Sequence, residues 1–313
     1  MIPKPIHFVK LNSAGNDFVC IDNTDGFLNE MAADSGWARF VTAVCRRGLA
    51  VGADGLILAC QIGSGEGVDV VARFLEPDGS EARLCGNGTA CFTYWAVSSG
   101  LVKGPEVRIL TAAGTAQGKL SEDDRQRVRV CVPDPAGLAM GIDVRADGRE
   151  WMLDFLDTGV PHAIAYVNNL DELDVHHCGR EIRRHPRFAP HGVNANFVQV
   201  HGVGRIAIRT FEFGVEAETM ACGTGSAAAA IMAALRFNWP DEYRAGERPV
   251  EVLTRGGDTL LVWFLRHDER VSDVCLETRV RPVYEGTLRN EFIADVESAL
   301  TAGPGPDLRS SGE

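Results

Sequence analysis

Residues 73–90 read RFLEPDGSEARLCGNGTA, and residues 209–227 read RTFEFGVEAETMACGTGSA. The two stretches are one pattern written twice. In each, an Arg precedes a Glu by three residues (Arg73/Glu76 and Arg209/Glu212), and a second Glu lies four residues before a Cys (Glu81/Cys85 and Glu218/Cys222). Both then continue Cys-Gly-x-Gly-x-Ala, and the second copy is one residue longer between its glutamates. Each copy also follows an Asn-containing strand entry, Gly15-Asn16-Asp17-Phe18-Val19 and Asn194-Ala195-Asn196-Phe197-Val198. A repeat of this kind marks like structural units. It predicts two pseudo-symmetric domains facing one cleft.

Around the repeat, short apolar or alternating runs bounded by Gly, Asp and Asn predict strands: HFVKL, DFVCIDN, GLILAC, VDVVARFLE, EVRILTAAG, RVRVCVPD, WMLDFLDTG and HAIAYVN. ANFVQVHG, RIAIRTFEF, GDTLLVWFL and SDVCLETRVRPVYEG continue the pattern. Asn29–Arg46 predicts a helix with Met31, Trp37, Phe40, Val41 and Val44 on one stripe. Two more helices open after Cys85, running to Ser98, and after Cys222; residues 171–191 predict a short helix and a charged loop. Strands predominate, with one long helix per half. SEDDRQ at 121–126 breaks the strand pattern and places the domain boundary: 1–122 with the Cys85 motif, joined by a returning 284–300, and 123–283 with the Cys222 motif. The Gly/Pro/Ser-rich residues 301–313 predict a disordered tail.

The chemistry lies in the doubled motif. Cys-Gly-x-Gly before a helix sets a thiol at the helix's positive end, and the glycines leave backbone N–H groups open. The dipole favours the thiolate, so a lowered thiol pKa is expected, and the free N–H groups suit a carboxylate. Two such helices aimed at one cleft would hold an α-carboxylate with one sulfur on each face of Cα. One thiolate would remove the α-proton and the opposite thiol would return one to the other face. A lone Cys-Gly-x-Gly reads more simply as a helix start with turn glycines. The doubling, with matched glutamates, reverses that.

Other motifs carry less. Gly223-Thr-Gly225-Ser-Ala-Ala228 fits a relaxed dinucleotide fingerprint but lies late in the chain, with no strand carrying an acidic residue some 20 positions on. Gly114-Thr-Ala-Gln-Gly118-Lys119 is one residue short of a phosphate loop, and Leu120 replaces its Ser/Thr. His176, His177, Cys178, His185 and His191 cluster without any zinc-type spacing, so no metal site is expected.

Composition bounds the class. The chain has 313 residues, 45% hydrophobic and 24% charged, with a formal net charge of −12. Nucleic-acid affinity needs clustered cations, and no basic run is present. The longest apolar stretch, Ala227–Leu235, is far short of the roughly 20 residues that span a bilayer, and the first residues lack a signal-peptide segment. A cytoplasmic, soluble protein is expected, binding neither nucleic acid nor membrane. The nine cysteines form no CxxC pair, which predicts reduced thiols: seven packing residues plus the symmetric pair.

Over residues 7–286 the sequence resembles the diaminopimelate epimerase family and its cofactor-independent racemase relatives. LNSAGNDFVCID, GADGLILA, EPDGSEARLCGNGTACF, GVPH, GVNANFVQV, ETMACGTGSAAAA and TRGGDTLLV stand in the family's order. The resemblance implies an α+β fold of two domains, each a mostly antiparallel sheet wrapped around a central helix, with the active site between them. It also implies a two-base thiol mechanism without pyridoxal phosphate or metal, and a homodimer. On that basis Cys85 and Cys222 are the bases. Asn16, His162 and Glu212 surround the reacting centre, and Gly86, Asn87, Gly223 and Thr224 supply backbone donors for the α-carboxylate.

The departures concern the far end of the substrate. Where the family has Asn, Asn and Arg to grip a second amino-acid head, this chain has Glu76, Val160 and Phe213; Asn194 is retained but follows Val193. A distal carboxylate would lose its Arg and meet Glu76, at about 1.5–3 kcal/mol per lost charge-assisted hydrogen bond. The wall suits a monocarboxylate with a cationic, aromatic or apolar side chain, unless another cation such as Arg209 substitutes. The resulting expectation is a cofactor-independent amino-acid racemase or epimerase. Its rivals are a true diaminopimelate epimerase of lysine biosynthesis, the one-cysteine dehydratase or isomerase branch of the fold, and an idle amino-acid-binding protein.

Overall fold

The computed structural model describes residues 5–29, 36–61, 67–82, 85–268, 270–292 and 294–295, and among these the apolar runs become seventeen strands and the doubled motif becomes two buried helices. The first half comprises β1 (Ile6–Ser13), β2 (Asn16–Asn23), α1 (Gly36–Cys45), β3 (Gly55–Cys60), β4 (Val70–Leu75), β5 (Glu81–Ala82), α2 (Gly86–Ser98), β6 (Glu106–Thr111), β7 (Gly114–Leu120) and β8 (Arg127–Cys131). After β9 (Ala136–Ala146), the second half comprises β10 (Arg149–Asp157), β11 (Pro161–Tyr166), α3 (Val175–Arg183), β12 (Asn194–Gly202), β13 (Arg205–Glu212) and β14 (Ala217–Thr219). It ends with α4 (Gly223–Arg236), α5 (Asp241–Arg244), β15 (Val250–Leu253), β16 (Thr259–His267) and the long β17 (Arg270–Leu288).

The pairings repeat. In the first half β1–β2, β3–β4, β4–β5, β6–β7 and β7–β8 are antiparallel, while β2–β3 and β4–β6 are parallel. In the second half β10–β11, β12–β13, β13–β14, β15–β16 and β16–β17 are antiparallel, while β11–β12 and β13–β15 are parallel. The two-domain α+β architecture is thus present, with α1 and α3 as matched outer helices. β17 ties the halves together: Cys275–Arg279 pair with β8, and Val280–Leu288 pair with β1.

Both central helices are buried on almost every side, as a helix enclosed by a sheet is. In α4 the run Ser226–Ala234 is wholly buried, and its alanines let the surrounding strands come close. In α2, Ala90, Cys91, Phe92, Trp95 and Ala96 are buried. Phe92 packs edge-on to both Phe74 and Trp95. The outer helix α1 is amphipathic and buries Trp37, Phe40, Val41 and Val44.

Four sequence expectations need correction or qualification. The helix expected over Asn29–Arg46 is described from Gly36 only; Met31 falls outside the described residues, as do 301–313. The glycine-rich Gly114–Leu120, dismissed as a failed phosphate loop, is strand β7. Gly118 is required there, because a Cβ would lie 2.0 Å from Thr93 Oγ1 on α2. Ala136–Ala146 is a further strand whose small residues hid its pattern; it pairs with β10. Finally, Cys131 and Cys275 are not reduced packing thiols. They lie opposite one another on β8 and β17 and form a disulfide across 144 residues of sequence.

Candidate active site

Each motif cysteine caps its helix. Cys85 (φ −131°, ψ 116°) precedes α2 and its Sγ accepts from Gly88 N at 3.4 Å. Cys222 (φ −122°, ψ 111°) precedes α4 and its Sγ accepts from Gly225 N at 3.4 Å. Extended backbone at the cap, followed by helix, is what turns a side-chain acceptor onto the N3 amide. The two copies therefore place sulfur identically.

The first turns of the two helices meet. A Cβ on Gly223 would lie 3.8 Å from Gly86 Cα, and Leu276 Cδ2 of β17 would touch a Cβ on either glycine, at 3.6 and 3.3 Å. Leu276 is thus the floor on which both N-termini rest.

The repeated Arg and the second Glu have a structural task. Arg73 clasps Glu81 through two hydrogen bonds of 3.1 Å, and Arg209 clasps Glu218 through bonds of 2.6 and 2.7 Å. Arg209 also donates to the carbonyls of Leu170 and Leu173, so it is no substitute cation for the cleft. The first glutamate of each copy is left facing the cleft. This space, about 640 Å³, is lined by Asn16, Asp54, Glu76, Asp78, Cys85, Glu212, Phe213 and Thr219 among others. Among the described residues its charged lining is entirely carboxylate. Burial and the charges of Asp78, Glu212 and Asp54 raise the Glu76 carboxyl, and burial above all raises that of Glu212.

On the first-half side, Asn87 Nδ2 donates to Asn16 Oδ1 at 2.6 Å, and Asn16 Nδ2 donates to Asp54 Oδ2 at 3.5 Å. Behind them Asp17 is held by Arg47 and Lys10; burial opposes its charge, but their hydrogen bonds bring its carboxyl down to about 2. Asn87 Oδ1 is buried with no partner among the described residues.

On the second-half side, His162 is fully buried, with Nε2 at 3.1 Å from Thr224 Oγ1. Thr224 Oγ1 lies 3.5 Å from Cys222 Sγ, and the Cys222 thiol hydrogen-bonds Glu212. Burial drives the His162 ring to about 3, so it is neutral at ordinary pH.

The expected lowering of the thiol pKa values is overturned. Burial pushes Cys85 up to about 12 despite the Gly88 amide, and pushes Cys222 well above the ordinary thiol range, with Glu212 adding to it. Desolvation of an anion outweighs the helix dipole here. Both cysteines rest as thiols.

The expected residues therefore fall into three groups. Asn16, Glu76, Cys85, Glu212 and Phe213 line the open cleft; Cys222, His162 and Thr224 form a hydrogen-bonded set beside Glu212; Gly86, Asn87 and Gly223 make the helix junction. Asn194 stands apart from these. Its amide is used internally, accepting from Phe213 N at 2.7 Å and donating to Pro161 O at 3.2 Å. Val160 lies in the β10–β11 turn, whose Thr158 donates to the Thr224 carbonyl at 3.0 Å. Sequence reading missed Asp54, Asp78 and Leu276, and it missed Arg183. The Arg183 guanidinium stacks 4.3 Å from the Phe213 ring and is held by Glu216, in the segment that lengthens the second copy.

A sequence model for diaminopimelate epimerase matches residues 8–135 and 155–274, one stretch in each half. The chain belongs to the diaminopimelate epimerase family. It is 38% identical to the diaminopimelate epimerase of Aquifex aeolicus over 92% of this chain and 99% of that protein. It is 36% identical to that of Chlorobaculum tepidum, over 89% and 99%. Among solved structures, a probable proline racemase from Agrobacterium radiobacter superposes with TM-score 0.70 at 15% identity, covering 91% of this chain and 93% of that one. A hydroxyproline epimerase from Agrobacterium vitis gives 0.67 at 14%, with the same coverage. The structures share the fold, and the family membership makes the protein an isomerase of the racemase/epimerase type. Among the described residues, no helix is long and apolar enough to cross a membrane.

Proposed function

We propose that the protein inverts the α-carbon of an amino acid with Cys85 and Cys222 as the two bases, without a cofactor, and that its pocket takes a cationic side chain. The observation that carries this is the meeting of two cysteine-capped helices at Gly86 and Gly223. An α-carboxylate lying between them would face the amides of Gly86, Asn87, Gly223 and Thr224 and two positive helix ends. One thiolate takes the α-proton, the electron pair is left on Cα conjugated to the bound carboxylate, and the opposite thiol protonates the other face. Because burial raises both thiols, the substrate's own positive charge supplies part of what makes a thiolate accessible. Asn87 Oδ1, buried without a partner among the described residues, would accept from the α-ammonium.

The side-chain reading rests on Glu76, Asp78 and Phe213 in the cleft wall, with Arg209 and Arg183 both committed to glutamates. A cation would be met by carboxylates and by an aromatic face. The substrate is a small molecule, the protein is read as cytoplasmic, and a homodimer accompanies the reading.

The second reading is an authentic diaminopimelate epimerase converting the LL to the meso isomer for lysine synthesis. The names of the relatives favour it. On that reading Arg183, stacked on Phe213, would leave Glu216 for the distal carboxylate.

A panel of L-amino acids in deuterium oxide, with reduced protein and Cα–H loss followed by NMR, separates the two. Exchange is expected with lysine-, ornithine- or arginine-like substrates. Exchange with diaminopimelate alone would refute the altered pocket, and exchange with none would contradict two-thiol inversion.

A further inference from the structure

We propose that Asn196, braced by Thr210, is a positioning residue that fixes the tautomer of His162 and thereby turns the Thr224 hydroxyl proton towards Cys222 Sγ. The inference rests on the two-thiol reading above and concerns what makes the second thiol competent.

The amide of Asn196 has one possible orientation. Thr210 Oγ1 donates to Asn196 Oδ1 at 3.0 Å, and Asn196 Nδ2 faces three acceptors: the carbonyls of Ala163 at 3.0 Å and Asn194 at 3.3 Å, and His162 Nδ1 at 3.2 Å. Reversing the amide would set its oxygen against two carbonyls and leave the Thr210 hydroxyl facing an NH₂ group. With NH₂ towards the ring, His162 Nδ1 must be the acceptor, so the ring proton sits on Nε2. Nε2–H then donates to Thr224 Oγ1 at 3.1 Å, which leaves the hydroxyl's own proton free. The single S–H of Cys222 is turned to Glu212, so in the 3.5 Å contact between Thr224 Oγ1 and Cys222 Sγ the hydroxyl donates and sulfur accepts.

This array is built in, not incidental. Asn196, His162 and Thr210 are all buried, at 1%, 0% and 3% exposure. It presses on the first turn of α4 so closely that a Cβ on Gly225 would lie 2.6 Å from Asn196 Oδ1 and 3.2 Å from His162 Cε1. The result is a second donor to Cys222, besides the Gly225 amide. Among the described residues Cys85 has no hydroxyl counterpart, since Asn87 stands where Thr224 stands in the other copy. The two halves match in backbone but differ in what they direct at sulfur.

The test reads the tautomer directly, by ¹H–¹⁵N correlation of the His162 ring in the reduced, ligand-free protein. A neutral ring protonated on Nε2 at pH 7 is expected; protonation on Nδ1, alone or with Nε2, overturns the proposal. Alkylation by iodoacetamide at pH 8.5, resolved by mass spectrometry for each cysteine, then compares wild type with Asn196→Ala and with the milder Thr210→Val. Either folded variant should slow Cys222 about tenfold relative to Cys85. Equal changes at both cysteines, or no change, would overturn it. Neither readout requires turnover. A protein with the expected tautomer that inverts no amino acid would therefore refute the two-thiol reading and leave this assignment standing.

Discussion

Gly86 and Gly223 face each other across the pseudo-dyad, so near that a Cβ added to either would contact the Cα of the other, at 4.0 or 3.8 Å. The proposed α-carboxylate site depends on neither residue having a side chain. Gly223→Ala would find ordinary contacts with Leu276 and Asn87 at 3.6 Å, so the fold should survive, with stability changed by less than about 1 kcal/mol. The methyl would nonetheless stand between the helix N-termini, and a displacement of about 1 Å at a reacting centre costs around 100-fold. Steady-state kinetics beside thermal melting checks this. Unaltered kcat/KM in a folded variant would move the carboxylate elsewhere.

Glu76 should set the side-chain preference. Glu76→Asn removes the carboxylate that meets a cationic side chain, so kcat/KM for such a substrate should fall by about 10- to 100-fold, the scale of one charge-assisted hydrogen bond. Turnover of diaminopimelate should rise or stay level. A panel run on both proteins reads the ratio. Equal losses on all substrates would show that Glu76 acts on the reacting centre and not on specificity.

Acid should destabilise the fold through two identified groups. Asp17, held at about 2 against 3.8 for an ordinary aspartate, contributes stability that is complete above pH 4 and disappears as pH falls towards 2. The difference is worth about 2 kcal/mol. His162, driven by burial to about 3 from 6.5, acts with the same sign: its neutral form is stable above pH 6.5, and the cost of charging it grows as pH falls below that. Chemical denaturation of wild type and Asp17→Asn should differ by about 2 kcal/mol at pH 7 and converge near pH 2. A constant difference would contradict the Arg47–Asp17–Lys10 account.

The disulfide should matter for stability more than for chemistry. Cys131–Cys275 joins β8 to β17 and closes a loop of 144 residues. Loops of that size correspond to about 4–5 kcal/mol in the chain-entropy account, with native strain subtracting from it. Cys131→Ala should lower the melting temperature by several degrees and leave Cα exchange in place. Loss of exchange without loss of stability would mean that the bond positions Leu276, the neighbour of Cys275, beneath the two helices.

The doubled motif made much of this legible in the sequence. Arg, two glutamates and a cysteine at fixed offsets announced two like halves, and the Cys-Gly start located both central helices. What escaped was whatever depended on chain-distant neighbours. Gly114–Leu120 looked like a loop because Gly118 answers to Thr93 on α2, which no local pattern reveals. Cys131 and Cys275 pair through strand register alone. The raised thiols follow from burial, whereas the motif showed only the helix dipole. The Asn194-Ala-Asn196 signature was visible, but the division of labour within it was not: Asn194 braces Phe213 while Asn196 holds the His162 ring.

The configuration at Cα, followed by chiral analysis in single-cysteine variants, tests the central claim most directly. With a substrate that the wild type inverts, Cys85→Ala and Cys222→Ala, each shown to be folded and reduced, should both lose inversion by at least about 1,000-fold, since each base serves one face. Inversion at the wild-type rate in either variant would contradict the two-base account.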